Sequence, residues 1–122
     1  MCIRDRQITI FGDGEQTRDF VYVDDVVDAF VRAATKGGGL VCNIGTGQET
    51  SVNTLFREMA RQAGVDVEPE FKALRAGELA RNCLDPTRAG IQLGWGSWTE
   101  LGVGTAATIE FVRARLVEAG EL

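Results

Sequence analysis

An α/β fold is predicted for this chain of 122 residues, and three features carry that expectation. Short β-prone runs alternate with amphipathic helical stretches, the pattern of a partly parallel sheet with crossover helices. The helical stretch that follows Ser51 carries signals at both of its ends. No internal repeat or low-complexity segment competes, apart from the short turn Gly37-Gly38-Gly39.

Gln7 to Phe11 alternates, is β-rich and breaks at Gly12-Asp13-Gly14, and Phe20 to Val23 is a second short β-prone run. Asp24 is the expected N-cap of a first helix, with Asp25 and Asp28 adding negative charge near the positive end of its dipole. Val26, Val27, Phe30, Val31 and Ala34 fall on one face of that helix, which the glycine triplet ends. Leu40 to Ile44 reads as a buried strand closed by Gly45-Thr46-Gly47. Ser51 then caps the clearest helix. Val52, Leu55, Phe56, Met59, Ala60 and Ala63 share its inner face, and Gly64 stops it. Val65 to Leu74 is expected to be extended around Pro69. Asp85-Pro86 pairs an N-cap with a proline at the first helical position, and this short helix ends at Gly94. A last helix is expected from about Thr99 to Ala119, with Leu101, Ile109, Val112 and Leu116 inward.

Composition narrows the function. An apolar content of 44% supports a modest packed core. No apolar run approaches the length of about 18 residues that a membrane-spanning helix needs. The first six residues, Met1–Arg6, hold no apolar stretch of the secretory kind. A net charge of −5 argues against a nucleic-acid groove, which needs a basic stripe. It leaves room for one anionic ligand. Of 13 basic residues only Lys36 and Lys72 are lysines, and arginine is the side chain suited to bidentate phosphate contacts. Cys2, Cys42 and Cys83 lie far apart without a CxxC, and histidine is absent, so no zinc site, disulfide framework or Ser-His or Cys-His nucleophile is expected. Reduced cysteines in a cytoplasmic protein fit this usage.

Two glycine-bearing turns invite comparison. Gly45-Thr46-Gly47 lies between a strand and a helix, but a dinucleotide fingerprint requires G-x-G-x-x-G, and Thr50 stands where the third glycine belongs. It is read as a plain strand-to-helix turn and not as an NAD site. In the segment Gly12-Asp13-Gly14-Glu15-Gln16-Thr17-Arg18-Asp19-Phe20-Val21-Tyr22-Val23-Asp24-Asp25-Val26, physics alone makes Arg18 a surface arginine or a partner of Asp19.

That segment, however, resembles the GDGxQxRDFVyVdDVv block of the extended short-chain dehydrogenase/reductases, the NAD-dependent epimerase/dehydratase family. The resemblance continues in order. Val41-Cys42-Asn43-Ile44-Gly45-Thr46-Gly47 is similar to the family's vyNiGtG turn, and Thr50-Ser51-Val52-Asn53-Thr54-Leu55 to its tSvneL helix start. Arg75-Ala76-Gly77-Glu78 is similar to RxGe/d. Asp85 with Ala89–Trp95 is similar to D…kA…lGw, and Leu101–Phe111 to the closing helix. The likeness runs from Gln7 to about Arg115 and leaves residues 1–6 as a leader that does not match. A truncated reading frame or an assembly join is the expected cause, with 7–122 as the C-terminal substrate-binding part.

The resemblance implies an α/β substrate-binding part of an extended Rossmann-type enzyme whose N-terminal dinucleotide-binding half is missing. It implies that Arg18 and Arg75 contact the diphosphate of a nucleotide sugar, a UDP-sugar first of all. Glu78 is then set to accept from the nucleotide ribose, and Gln16 to assist from the same loop. Asn43, Asp24 and Ser51 are read as a strand-end hydrogen bonder and two helix caps, and Trp95 and Trp98 as packing and rim residues. The activity implied is that of a UDP-glucose 4-epimerase or a related dehydratase, decarboxylase or epimerase. In that activity bound NAD takes a hydride from the sugar and returns it, in a protein that is commonly a homodimer. A Tyr-x-x-x-Lys pair is absent, since Val26 stands four residues after the only tyrosine, Tyr22. The chain by itself is therefore expected to be inactive, and marginally stable or prone to aggregate. Two alternatives stay open: a non-catalytic nucleotide-sugar-binding module, and a reductase of the same superfamily acting on a non-nucleotide substrate.

Overall fold

The computed structural model describes residues 7–121; the expected leader, residues 1–6, lies outside them, and Cys2 with it. In chain order the elements are β1 (Thr9–Phe11), β2 (Thr17–Arg18), α1 (Val23–Ala33), β3 (Thr50–Ser51), α2 (Val52–Ala63), β4 (Glu70–Lys72), α3 (Thr87–Leu93) and α4 (Leu101–Glu118). They gather into two compact units. One comprises the chain up to Gln16, Ser51–Ala80 and Gly102 onward; the other comprises Thr17–Thr50 and Arg81–Leu101.

The first unit is a β-α-β arrangement. β1 and β4 pair in parallel, with Thr9 opposite Glu70 and Phe11 opposite Lys72, and parallel strands require a long crossover such as the one α2 supplies. The Glu70 amide donates to the Ile8 carbonyl and the Gly12 amide to the Lys72 carbonyl, both at 2.8 Å. Ile10, at the centre of β1, is buried. The extended stretch predicted around Pro69 thus contains β4. α2 has the predicted boundaries. The Ser51 hydroxyl accepts from the Thr54 amide at 3.1 Å, and Gly64 caps the far end in the left-handed conformation. Its apolar face is half-buried rather than buried, with Met59 40% exposed. α4 lies against α2. Gln62 donates to the Gly102 carbonyl at 3.1 Å, and Arg113 donates to the Ala63 carbonyl, an orphan at the end of α2, at 3.0 Å. α4 buries Gly104 and Thr105, whereas Leu101, Ile109 and Leu116 are half-buried and Val112 is exposed.

The second unit is built on α1 and α3. Ala29, Ala89, Leu93 and Trp95 form its core, with Val21, Cys42 and Ile44 packed against them. The Trp95 indole donates to the Asp25 carbonyl at 2.7 Å. The Asp25 carboxylate, fully buried, accepts from the Trp98 amide (3.1 Å), the Thr99 amide (3.0 Å) and the Thr99 hydroxyl (2.7 Å). Three donors offset the cost of withdrawing that charge from water. Arg32 donates to the Gly94 carbonyl at 2.8 Å and closes the end of α3. β2 and β3 form a second two-stranded ladder.

Four expectations need correction. Phe20–Val23 forms no strand, because α1 already begins at Val23 and β2 lies earlier. Asp24 is not the cap of α1; Tyr22 occupies that position and makes no side-chain capping bond. The apolar stripe of α1 does not face the core. Val27, Phe30 and Val31 are 51%, 72% and 67% exposed, while Asp25 and Ala29, one turn apart, point inward. Leu40–Ile44 is not a strand: it has no ladder partner among the described residues, and Val41 is 80% exposed. A strand exists only through its neighbours, whatever its side chains. Lesser differences concern α3, whose cap position is Pro86. Asp85 still accepts from the Thr87 hydroxyl and from the Thr87 amide, the latter at 3.0 Å, and these bonds, the hydroxyl first, draw its carboxyl below the ordinary value.

Candidate functional site

The site residues expected from the sequence divide between the units. Gln16, Arg75 and Glu78 belong to the first, and Arg18 belongs to the second.

In the first unit, the Gly12–Gln16 loop follows β1 and is fastened to the start of α2. The Asn53 amide donates to the Gly14 carbonyl at 2.9 Å, and the Asn53 carboxamide donates to the Asp13 carbonyl and to the Glu15 carboxylate. Only glycine fits at position 14, where φ is +76° and a Cβ would collide with the Asn53 side chain. Gln16 is 8% exposed, and its amide nitrogen donates to the Phe11 carbonyl at 2.7 Å. Its amide oxygen is buried with no partner among the described residues. Gln16 therefore braces the end of β1 from within and does not present its amide at the surface. Arg75 is exposed and lies over the Phe11 ring, its guanidinium carbon 3.8 Å from the centroid. Glu78 is half-buried, and its amide closes a turn back to the Arg75 carbonyl at 3.2 Å.

In the second unit, Arg18 sits between two tethered neighbours. Before it, the Thr17 hydroxyl donates to Glu49 at 2.7 Å, and Arg81 grips the same carboxylate with both arms, at 2.9 and 2.6 Å. The Arg81 guanidinium, with help from Thr17, lowers the Glu49 carboxyl to about 2. The Thr17 carbonyl accepts from Arg18 itself at 2.7 Å and from the Asn82 amide at 3.1 Å.

After Arg18, Asp19 fills the Gly45-Thr46-Gly47 turn. Its carboxylate accepts from the Thr46 amide (2.8 Å), the Thr46 hydroxyl (2.6 Å), the Gly47 amide (2.9 Å) and the Leu84 amide (3.3 Å). Burial works against the charged form, but these donors outweigh it and hold the Asp19 carboxyl below its ordinary value. Gly45 leaves the room: a Cβ there would meet the Asp19 carboxylate at 2.7 Å and the Leu84 Cβ at 2.9 Å. The two amides that could cradle a pyrophosphate are thus already engaged by a carboxylate of the same chain. The turn does not fit a dinucleotide.

Sequence reasoning missed Asp19, Glu49, Arg81 and Phe11. An acidic residue beside Arg18 and a turn made of two glycines hinted at the first. The Glu49–Arg81 and Phe11–Arg75 pairs bridge distant parts of the sequence and left no local trace. Among the described residues no cluster of His, Cys, Asp and Glu is disposed to hold a metal ion.

Comparison with known proteins places this architecture. A profile of the NAD dependent epimerase/dehydratase family matches residues 2–45. The chain belongs to that family, whose α/β enzymes use NAD. Over 109 residues, 88% of this chain, it is 52% identical to the UDP-glucose 4-epimerase of Mycolicibacterium smegmatis and spans 35% of that protein. A crystal structure of the Thermotoga maritima UDP-glucose 4-epimerase with UDP-glucose superposes with a TM-score of 0.90. It is 44% identical, covering 94% of this chain and 37% of that one. The UDP-glucuronic acid 4-epimerase of Bacillus cereus, with UDP-glucuronic acid and NAD, superposes at 0.85 and 28% identity, covering 93% of this chain and 37% of that one. The chain therefore spans little more than a third of the length of these relatives.

Proposed function

We propose that this chain is the C-terminal, substrate-binding part of an NAD-dependent nucleotide-sugar epimerase of the UDP-glucose 4-epimerase kind, and that it holds the nucleoside diphosphate of the sugar donor. The observation that carries this reading is the 52% identity, sustained over 88% of the chain, to a protein named as a UDP-glucose 4-epimerase. Two features of the site support it. Arg75 keeps its fork of donors clear of any side-chain acceptor among the described residues. Arg18 is carried on a backbone anchored on both sides, by Glu49 with Arg81 and by Asp19.

On this reading Arg18 and Arg75 neutralise the two phosphates through bidentate contacts, and the Glu78 carboxylate accepts from the ribose hydroxyls. Gln16 assists from the same loop: its amide nitrogen donates to the Phe11 carbonyl, and its amide oxygen has no partner among the described residues. NAD and the proton-transferring tyrosine belong to the part of the parent enzyme outside this chain. A homodimer of that parent in the cytoplasm completes the proposal. The exposed stripe on α1 and the unpaired Leu40–Ile44 segment favour it over a stand-alone binding module, because apolar surface of this kind calls for a covering element.

The test is to sequence the coding DNA upstream of the Gln7 codon, express the complete protein and assay UDP-glucose against UDP-galactose. An in-frame glycine fingerprint, a Tyr-x-x-x-Lys pair and interconversion of the two sugars are expected. A stop codon immediately upstream, or a complete protein that reduces a substrate without a nucleotide, refutes the proposal.

A further inference from the structure

The geometry points to Phe11 as the positioning residue for Arg75: its ring is the seat that holds the guanidinium flat and ready for a diphosphate. This inference rests on the nucleotide-sugar reading of the site and adds to it a residue that the sequence did not single out.

A phosphate-binding arginine faces a conflict. Its long side chain loses rotamer freedom when a ligand orders it, and ordering it beforehand with a carboxylate would consume the donors the ligand needs. A flat stack on an aromatic ring avoids both costs. The ring attracts the cation through its face, while the N–H groups radiate in the plane of the guanidinium and stay open. Arg75 lies over such a ring, with 3.8 Å between its Cζ and the Phe11 centroid and no side-chain acceptor among the described residues.

The seat itself is held from three directions. Phe11 pairs with Lys72 in the β1–β4 ladder. The Gln16 amide donates to the Phe11 carbonyl at 2.7 Å, and the Gly12 amide donates to the Lys72 carbonyl at 2.8 Å. Gly12, at φ +84°, also lets the chain after β4 close in, since a Cβ there would lie 2.9 Å from the Leu74 Cδ1. With Leu74 laid over Gly12, the next residue falls above the preceding ring. The end of β1 and the segment after β4 thereby place the two halves of the stack.

The experiment uses the full-length parent enzyme, with UDP and uridine as probes in titration calorimetry. Phe11→Leu is expected to weaken UDP about 2- to 5-fold, the range of an exposed cation–π contact, and to leave uridine unchanged. Phe11→Tyr, which keeps the ring, is expected to retain the wild-type UDP affinity. In an Arg75→Ala background Phe11→Leu is expected to add nothing. An equal loss of UDP in that background, or an equal loss of uridine, overturns the inference, because Phe11 would then act through the base or the fold. The upfield-shifted Arg75 Nε proton in the NMR spectrum, lost in Phe11→Leu and kept in Phe11→Tyr, reads the stack without any ligand. If Arg75→Ala leaves UDP affinity untouched, the nucleotide reading beneath the inference falls, and an Nε proton without a ring shift overturns the stack separately.

Discussion

Replacing Asp19 by asparagine keeps the side chain's size and one of its acceptors, and puts an NH2 group where a carboxylate oxygen was. The retained oxygen can still accept from the Thr46 amide and hydroxyl, at 2.8 and 2.6 Å. The new NH2 faces the Gly47 amide at 2.9 Å and the Leu84 amide at 3.3 Å, donor against donor. A charge-assisted bond contributes on the order of 1.5–3 kcal/mol, and an unsatisfied amide costs a similar amount when buried. Gly47 is exposed and can turn to water, so only the Leu84 amide and the lost charge on Thr46 count in full. The sum is about 2–3 kcal/mol. Urea unfolding of the full-length parent at pH 7 should show this as a lower midpoint with an unchanged slope. The pH dependence supplies a second check. The Asp19 carboxyl lies lower in the fold than its ordinary value of 3.8, so the stability it contributes is present above that value and fades as pH falls through the folded one. The gap between wild type and Asp19→Asn should be constant above about pH 5 and should close below about pH 4. A gap under about 0.5 kcal/mol, or one that does not move with pH, would refute the account of the turn.

Other outcomes follow from the same contacts. Asp25→Ala leaves the part-buried Trp98 and Thr99 amides without their acceptor and should cost the parent on the order of 2–3 kcal/mol in urea unfolding; a cost below about 1 kcal/mol would show that water replaces the carboxylate. The Glu49 carboxyl should titrate near 2 by carbon NMR and rise toward 4.5 in Arg81→Ala, so its contribution is complete above about pH 4.5 and lost on acidification toward pH 2. A wild-type midpoint near 4.5 would contradict the bidentate pair. The 122-residue chain expressed alone should aggregate or melt broadly, given the exposed Val27, Phe30, Val31 and Val41; a sharp melt of a monomer would oppose the proposal that another part of the parent covers them.

What the sequence disclosed was decided locally. α2 was legible because its cap at Ser51, its apolar period and its stop at Gly64 all lie within the helix or next to it. The parallel pairing of β1 with β4 was legible only as two extended stretches, since register depends on residues about sixty positions apart. The period of α1 pointed to the wrong face for a physical reason. The inward side is chosen by Asp25, whose partners Trp98 and Thr99 lie in the connection that follows α3, and no periodicity in the helix encodes them. Leu40–Ile44 has the composition of a strand and has no ladder partner among the described residues. In the site, family resemblance supplied Arg18, Arg75 and Glu78. The supports (Asp19 in the glycine turn, Glu49 with Arg81, Phe11 beneath Arg75) are long-range pairs, visible only once the chain is folded.

The most direct measurement is the affinity of the complete protein for UDP, by calorimetry, in wild type and in Arg18→Ala and Arg75→Ala. On the proposed reading each truncation removes a charge-assisted phosphate contact and should weaken UDP roughly tenfold or more, with uridine binding little changed. UDP affinities that stay within twofold of wild type in both variants would contradict the claim that this chain holds the nucleoside diphosphate.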